Sequence, residues 1–207
     1  PFYGVIGLII FWDIGVWVEI VDPVLLPSPD KAAMACWSRM LEGGLLHDFP
    51  RTVERTSYSI LIASVIAIPL GIFLGSSENL YRSVEFVIDF FRSTPASAIF
   101  PLFLVIFGVG DETKILVASF VAALVTLFIV PYGVMNARKT RILAAKALGA
   151  SKFQVLIDVI LLESLPQTCI GLRNGVCLPL VIVIVAAMFI ASYDGLGHRI
   201  TNAQMFL

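Results

Sequence analysis

The stretch ILVASFVAALVTLFIVPYGVMNA, residues 115–137, carries no charged side chain over 23 positions. A helix needs about 20 apolar residues to cross a hydrocarbon core of about 30 Å, and this run supplies them. Residues 57–75, 93–110 and 174–193 are equally free of Asp, Glu, Lys and Arg, and residues 1–21 are interrupted only by Asp13 and Glu19. A chain of 207 residues is too short to bury that many apolar helices beneath a polar shell. Composition agrees: 58% of residues are hydrophobic and 14% charged, against about 25% charged in soluble domains, and mean hydropathy is +0.94. These features predict an all-α, polytopic transmembrane bundle forming a single domain over 1–207. Five spans are expected, near 1–22, 57–75, 87–107, 114–136 and 168–191. The net charge of −1 gives no reason to expect a nucleic-acid partner.

Lys and Arg orient the bundle. Arg138, Lys139, Arg141, Lys146 and Lys152 cluster after the fourth apolar run, and such clusters sit on the cytoplasmic side. Counting outward puts Arg82 inside, with the Asp111–Glu112 turn outside. The basic segment itself reads as a helical elbow over 138–163. Ala- and Leu-rich residues 140–148 favour helix, Gly149 stops it, and Ser151-Lys152-Phe153-Gln154 has the form of a capping box opening a second short helix. Phe153, Leu156, Ile157 and Ile160 then recur at helical spacing, and Pro166 marks the expected re-entry into the membrane. Such an elbow offers a rigid docking surface to a cytosolic protein, or lies as an amphipathic connector on lipid headgroups. The residues alone leave both readings open.

Within the spans, Pro95 and Pro101 remove backbone donors from one helix and predict a bend. With Ser93, Thr94, Ser97 and, from the fourth span, Thr126, they form a candidate pathway or gate. Met188, in the charge-free fifth span, is expected to face that gate across the axis. The alternative for each hydroxyl is ordinary packing or a bond back to its own helix. Asp89 and Arg92, at i and i+3, are read as an intrahelical pair rather than an anion contact. Asp13 and Glu19, near the end of a span, are read as reaching water or a neighbour.

Catalytic constellations are missing from the sequence. Without a Gly-rich loop ending in Lys-Ser/Thr, the chain has no phosphate cradle of the Walker type. His47 and His198 are expected in outer loops with no partners at metal spacing. Cys169 and Cys177 are expected as small core residues, and Cys36 has no second outer thiol to pair with. The first segment lacks the basic start of a cleaved signal. The missing initiator Met and the apolar close at Met205-Phe206-Leu207 lead us to expect a sequence trimmed at both ends.

Leu143-Ala144-Ala145-Lys146-Ala147-Leu148-Gly149-Ala150-Ser151 resembles the "EAA" loop of binding-protein-dependent ABC importer permeases. Further matches follow in order: Leu26-Pro27-Ser28-Pro29, Pro69-Leu70-Gly71, Arg92-Ser93-Thr94-Pro95, Pro101-Leu102, Phe107 to Glu112, Gly171-Leu172-Arg173 and Gly195-Leu196-Gly197. Together they are similar to the nitrate/sulfonate/taurine/bicarbonate branch over nearly the whole chain. The resemblance implies a type I importer fold and a small polar solute, an anion such as nitrate, sulfonate, taurine or bicarbonate, moved by alternating access. It implies an inner-membrane, multi-pass subunit that is not itself an enzyme and binds no cofactor. Two cytosolic ABC ATPases carrying ATP and Mg would be its partners, with a second permease and a substrate-binding protein. Ala144, Ala145, Gly149, Ala150 and Ser151 would meet the ATPase. Three positions depart from the pattern: Leu143 replaces the loop Glu, Leu162 replaces a Pro, and Ala187 stands where the branch has an acid. Losing the loop Glu removes an acidic contact to the ATPase. The competing expectation is a secondary transporter or channel subunit working without ATP. Co-purification with an ATPase separates the two.

Overall fold

A computed structural model describes residues 2–18, 26–42, 44–190 and 194–205. Among them there are helices and no strands. In chain order they are α1 (Phe2–Trp17), α2 (Pro29–Glu42), α3 (Leu45–Gly75), α4 (Glu78–Ser93), α5 (Ala96–Phe107), α6 (Asp111–Met135) and α7 (Lys139–Ala147). Then α8 (Lys152–Gln154), a π-helical segment (Val155–Leu161) and α9 (Leu162–Phe189) follow end to end, before α10 (Leu196–Met205).

The core is a sandwich of α3, α6 and α9, whose mutual faces are the most extensive in the bundle. Small residues let these backbones approach, as membrane helices require when no water drives them together. A Cβ at Gly75 would come 2.7 Å from Val134 Cβ, and one at Gly71 2.9 Å from Val130 Cβ. Ser59 donates to the Ile115 carbonyl at 3.1 Å. Residues 59, 71 and 75 of α3 thus lie level with 115, 130 and 134 of α6, and the two helices run parallel. Gly171 faces Ile129 and Val130, and Gly175 faces Thr126, so α9 runs antiparallel to α6. Large side chains such as Leu61, Val65, Phe73, Val181 and Phe189 remain exposed around the outside, as suits surfaces meeting lipid or another subunit.

The expected spans need correction. Among the described residues, three helices are long and apolar enough to cross a membrane: Leu45–Gly75, Asp111–Met135 and Val155–Phe189. The second span therefore begins at Leu45 rather than residue 57, because helix continues through Pro50. The expected third span, 87–107, is two helices, α4 and α5, meeting at 95°. The residue before a proline is pushed out of the helical region, and Thr94 before Pro95 is extended (φ −78°, ψ 127°). Pro101, by contrast, sits inside α5 without ending it. The opening helix covers 16 residues rather than 1–22, and residues 19–25, with Glu19, lie outside the described residues. Asp13 is exposed on α1.

The elbow also differs from expectation in its second half. No separate short helix ends before Pro166. Helix runs from residue 152 to 189, passing through Pro166 and Pro179. His198 lies within α10, half-buried and 2.9 Å from Asn202, and His47 is in the first turn of α3; neither is in a loop. Cys169 and Cys177 are exposed rather than core residues, and Cys36 is exposed too.

Candidate functional site

At the elbow end, α7 closes with a left-handed residue. Gly149 has φ +84°, its N–H donates to the Lys146 carbonyl at 3.0 Å, and the Ala150 N–H reaches back to Ala145 O at 3.1 Å. This 6→1 and 5→2 pair is a Schellman closure. The next helix opens at once: Ser151 N–H donates to Gln154 Oε1 at 2.8 Å, and Gln154 N–H to Ser151 Oγ at 3.3 Å. The reciprocal pair is the capping box that Ser151 and Gln154 predict. Between the two motifs the chain reverses within a few residues. That reversal brings Ala144, Ala145, Gly149, Ala150 and Ser151 into one small-residue patch, exposed except for the half-buried Ala145 and Ala150. Leu143 (64% exposed), Leu148 (89%) and Phe153 (69%) project around it.

The elbow is fastened to the bundle by a residue that sequence reasoning missed. Glu163, whose side chain is 10% exposed, pairs with Arg141 Nη1 at 2.7 Å and accepts from the Arg138 backbone N–H at 2.5 Å. A cleft of about 490 Å³ opens beside it, lined in part by Arg138, Arg141, Asp158 and Glu163. Nothing in local spacing joins positions 141 and 163, so only the fold reveals the pair.

The opposite end is tied by charge. Arg55, only 5% exposed in its side chain, pairs with Asp111 at 2.7 Å and Asp194 at 2.5 Å. Asp111 also pairs with Lys114 at 2.9 Å. Asp48 pairs with Arg199 and accepts the Gly195 N–H at 3.0 Å, and Thr52 accepts the Leu196 N–H at 3.1 Å. The start of α10 is thereby strapped to α3 and α6.

The candidate gate residues separate into two groups. Ser93, Pro95 and Ser97 are exposed at the α4–α5 break, with Thr94 half-buried beside them. The Thr94 hydroxyl donates to the Phe90 carbonyl at 2.9 Å. Pro101 is exposed on α5. Thr126 does not join them: it is 2% exposed, and its hydroxyl bonds back to Ala122 O at 2.8 Å. Met188 does not face the break across an open axis. It is half-buried, its backbone lies against Gly197, and the neighbouring Ala186 and Ile190 share a core cluster with Phe100 of α5. Asp89 and Arg92 are paired at 3.1 Å, as their spacing predicts.

A bundle with paired long helices, a broken span and a fastened elbow defines a polytopic membrane subunit. Residues 67–207 match the family described as binding-protein-dependent transport system inner membrane component, and the chain belongs to that family. It is 30% identical over 205 residues to the taurine transport system permease protein TauC of Escherichia coli K12, covering 97% of this chain and 74% of that protein. It is 28% identical to the putative aliphatic sulfonates transport permease protein SsuC of the same strain, covering 100% and 78%. The fold matches a chain of the MetNI methionine ABC transporter in an inward-facing form, with TM-score 0.65 at 22% identity over 78% of this chain and 86% of that one. The chain is thus the permease subunit of an ABC importer, a class that works with ATPase and permease partners.

Proposed function

We propose that this subunit carries a small sulfonate, taurine or an aliphatic relative, inward across the inner membrane by alternating access. Two cytosolic ATPases, binding ATP and Mg, dock on the elbow. A second permease completes the pathway, and a separate binding protein delivers the solute at the Asp111 end. The observation that carries this reading is the elbow: small residues framed by the exposed Leu143, Leu148 and Phe153, held between a Schellman turn that ends one helix and a capping box that opens the next. With Leu143 in place of the loop Glu, docking rests on apolar contact and close approach around Gly149. The relatives named for taurine and aliphatic sulfonates support the solute class.

The test is uptake of labelled taurine and ethanesulfonate into vesicles containing the assembled transporter. ATP-dependent accumulation is expected. Accumulation that persists without ATP would make the chain a secondary transporter, and failure to move any sulfonate would remove the solute class.

A further inference from the structure

A groove of about 470 Å³ lies between the end of α4, the middle of α6 and α9, lined by Arg92, Phe128, Ile129, Asn174, Cys177 and Leu178 among others. Its depth follows from the helix pairing. Gly175 faces Thr126 and Gly171 faces Ile129, so Asn174 is level with residues 126–127. The midpoint of the 25-residue α6 is residue 123, which places Asn174 about 5 Å from the middle of a helix about 37 Å long. The end of α4 leading into the break crosses the middle of α6, because Phe91 packs on Phe120 with ring centroids 5.5 Å apart while Arg92 lies over Phe128.

An arginine left exposed at that depth cannot face hydrocarbon without a cost of several kcal/mol, so this side of the chain faces away from lipid, toward the interior that a second permease would enclose. The guanidinium is held ready. Its carbon sits 3.6 Å over the Phe128 ring, and one nitrogen pairs with Asp89, while an arginine fork carries five donors. Among the described residues lining the groove none is acidic. Asp89 approaches the cation from its own helix and is not part of that lining. Broken helices at the midplane are where transporters hold their solutes.

We propose that Arg92 and Asn174 form a transient midmembrane subsite for the oxyanion head of the solute, a sulfonate, and this rests on the importer reading above. Arg92 grips two head oxygens through its fork, Asn174 donates from across the groove, and Asp89 competes for the cation so that the head leaves as readily as it arrives. Lipid headgroups lie well above and below this height and do not supply the anion.

Cys177 is a native reporter inside the groove. In the assembled transporter with Cys36→Ser and Cys169→Ser, its modification rate is measured with a methanethiosulfonate reagent bearing a sulfonate and with one bearing a trimethylammonium. We expect the anionic reagent to be favoured, Arg92→Gln to cut the anion-to-cation rate ratio at least tenfold, and millimolar taurine or ethanesulfonate, but not chloride, to slow the reaction. Asn174→Ala, which leaves the ion pair in place, should weaken that protection severalfold. Equal rates for the two reagents, an unchanged ratio in Arg92→Gln, no protection, or a thiol inert to both reagents would each overturn the subsite. Should Arg92→Gln fail to assemble, reagent preference and protection in the parent, with Asn174→Ala, decide. Uptake is a separate readout. Sulfonate uptake with an indifferent Cys177 sinks the subsite alone, whereas a protected Cys177 without ATP-driven uptake sinks the importer reading alone.

Discussion

Gly149 and Arg55 show how single residues carry opposite kinds of constraint. Gly149 is needed for backbone conformation: at φ +84° any side chain is strained, yet beyond its own chain neighbours no described atom lies within 4 Å of where a Cβ would stand. Gly149→Ala should therefore cost about 1 kcal/mol, read as a drop of a few degrees in melting temperature, with transport retained. Gly149→Trp should insert into the membrane normally and abolish ATP-driven uptake, because its bulk projects outward into the docking patch. Normal uptake by the Trp variant would remove the patch as an ATPase contact. Arg55 is needed for charge. Removing it takes a buried cation from between Asp111, which keeps Lys114, and Asp194, which keeps Arg51 at 3.8 Å, and because both acids are partly exposed the loss falls below the roughly 3 kcal/mol of a fully buried pair. Arg55→Ala should lower the melting temperature in detergent more than Arg51→Ala, whose own side chain is half exposed between Glu54 and Asp194. Equal effects would show that the buried pair adds nothing to stability.

Among the elements, α4 and α5 were the hardest to read and now make the sharpest test. Thr94-Pro95 is visible in sequence as a restriction, but residues 93–110 are so uniformly apolar that the break was absorbed into one span. The amphipathic α4 supplies the first arm of the hook; the expected span at 87–107 takes in Asp89 and Arg92 and leaves Arg82 in the loop ahead of it. Gly149 and the Ser151–Gln154 box were legible because capping is local chemistry between neighbours in sequence. Glu163 with Arg141, and Arg55 with Asp194, were not, because those pairs depend on where distant helices come to rest. Pro166 misled for a related reason: a proline inside a membrane helix is tolerated where neighbours support it. At the hook, Ser97 is exposed, so Ser97→Phe should assemble and melt like the parent while slowing uptake at least tenfold. Uptake at the normal rate in an assembled complex would show that α5 does not line the path.

On the scale of the molecule, the two ends of α6 define two sides. Asp111 opens it and α7 follows its close, with 25 residues between. In a background with all three cysteines replaced by Ser, Glu112→Cys and Lys146→Cys should label with an impermeant thiol reagent from opposite faces of sealed vesicles. Labelling from the same face would refute the topology. The all-α class and the parallel course of α3 and α6 needed only hydropathy and the basic cluster. The packing of the core helices needed Gly71, Gly75 and Gly171, whose roles emerge only when a partner helix is in place. Between the docking patch and α9 stands the π-helical segment, seven residues from Val155 to Leu161, in which each side chain advances around the axis by a smaller angle than in an α-helix. Its length therefore sets a phase, like the key on a shaft. An α-helix turns about 100° per residue and a π-helix somewhat less, so deleting one residue there would rotate Asn174 and Cys177 relative to the docking patch by that smaller angle, with every contact inside each half left unchanged.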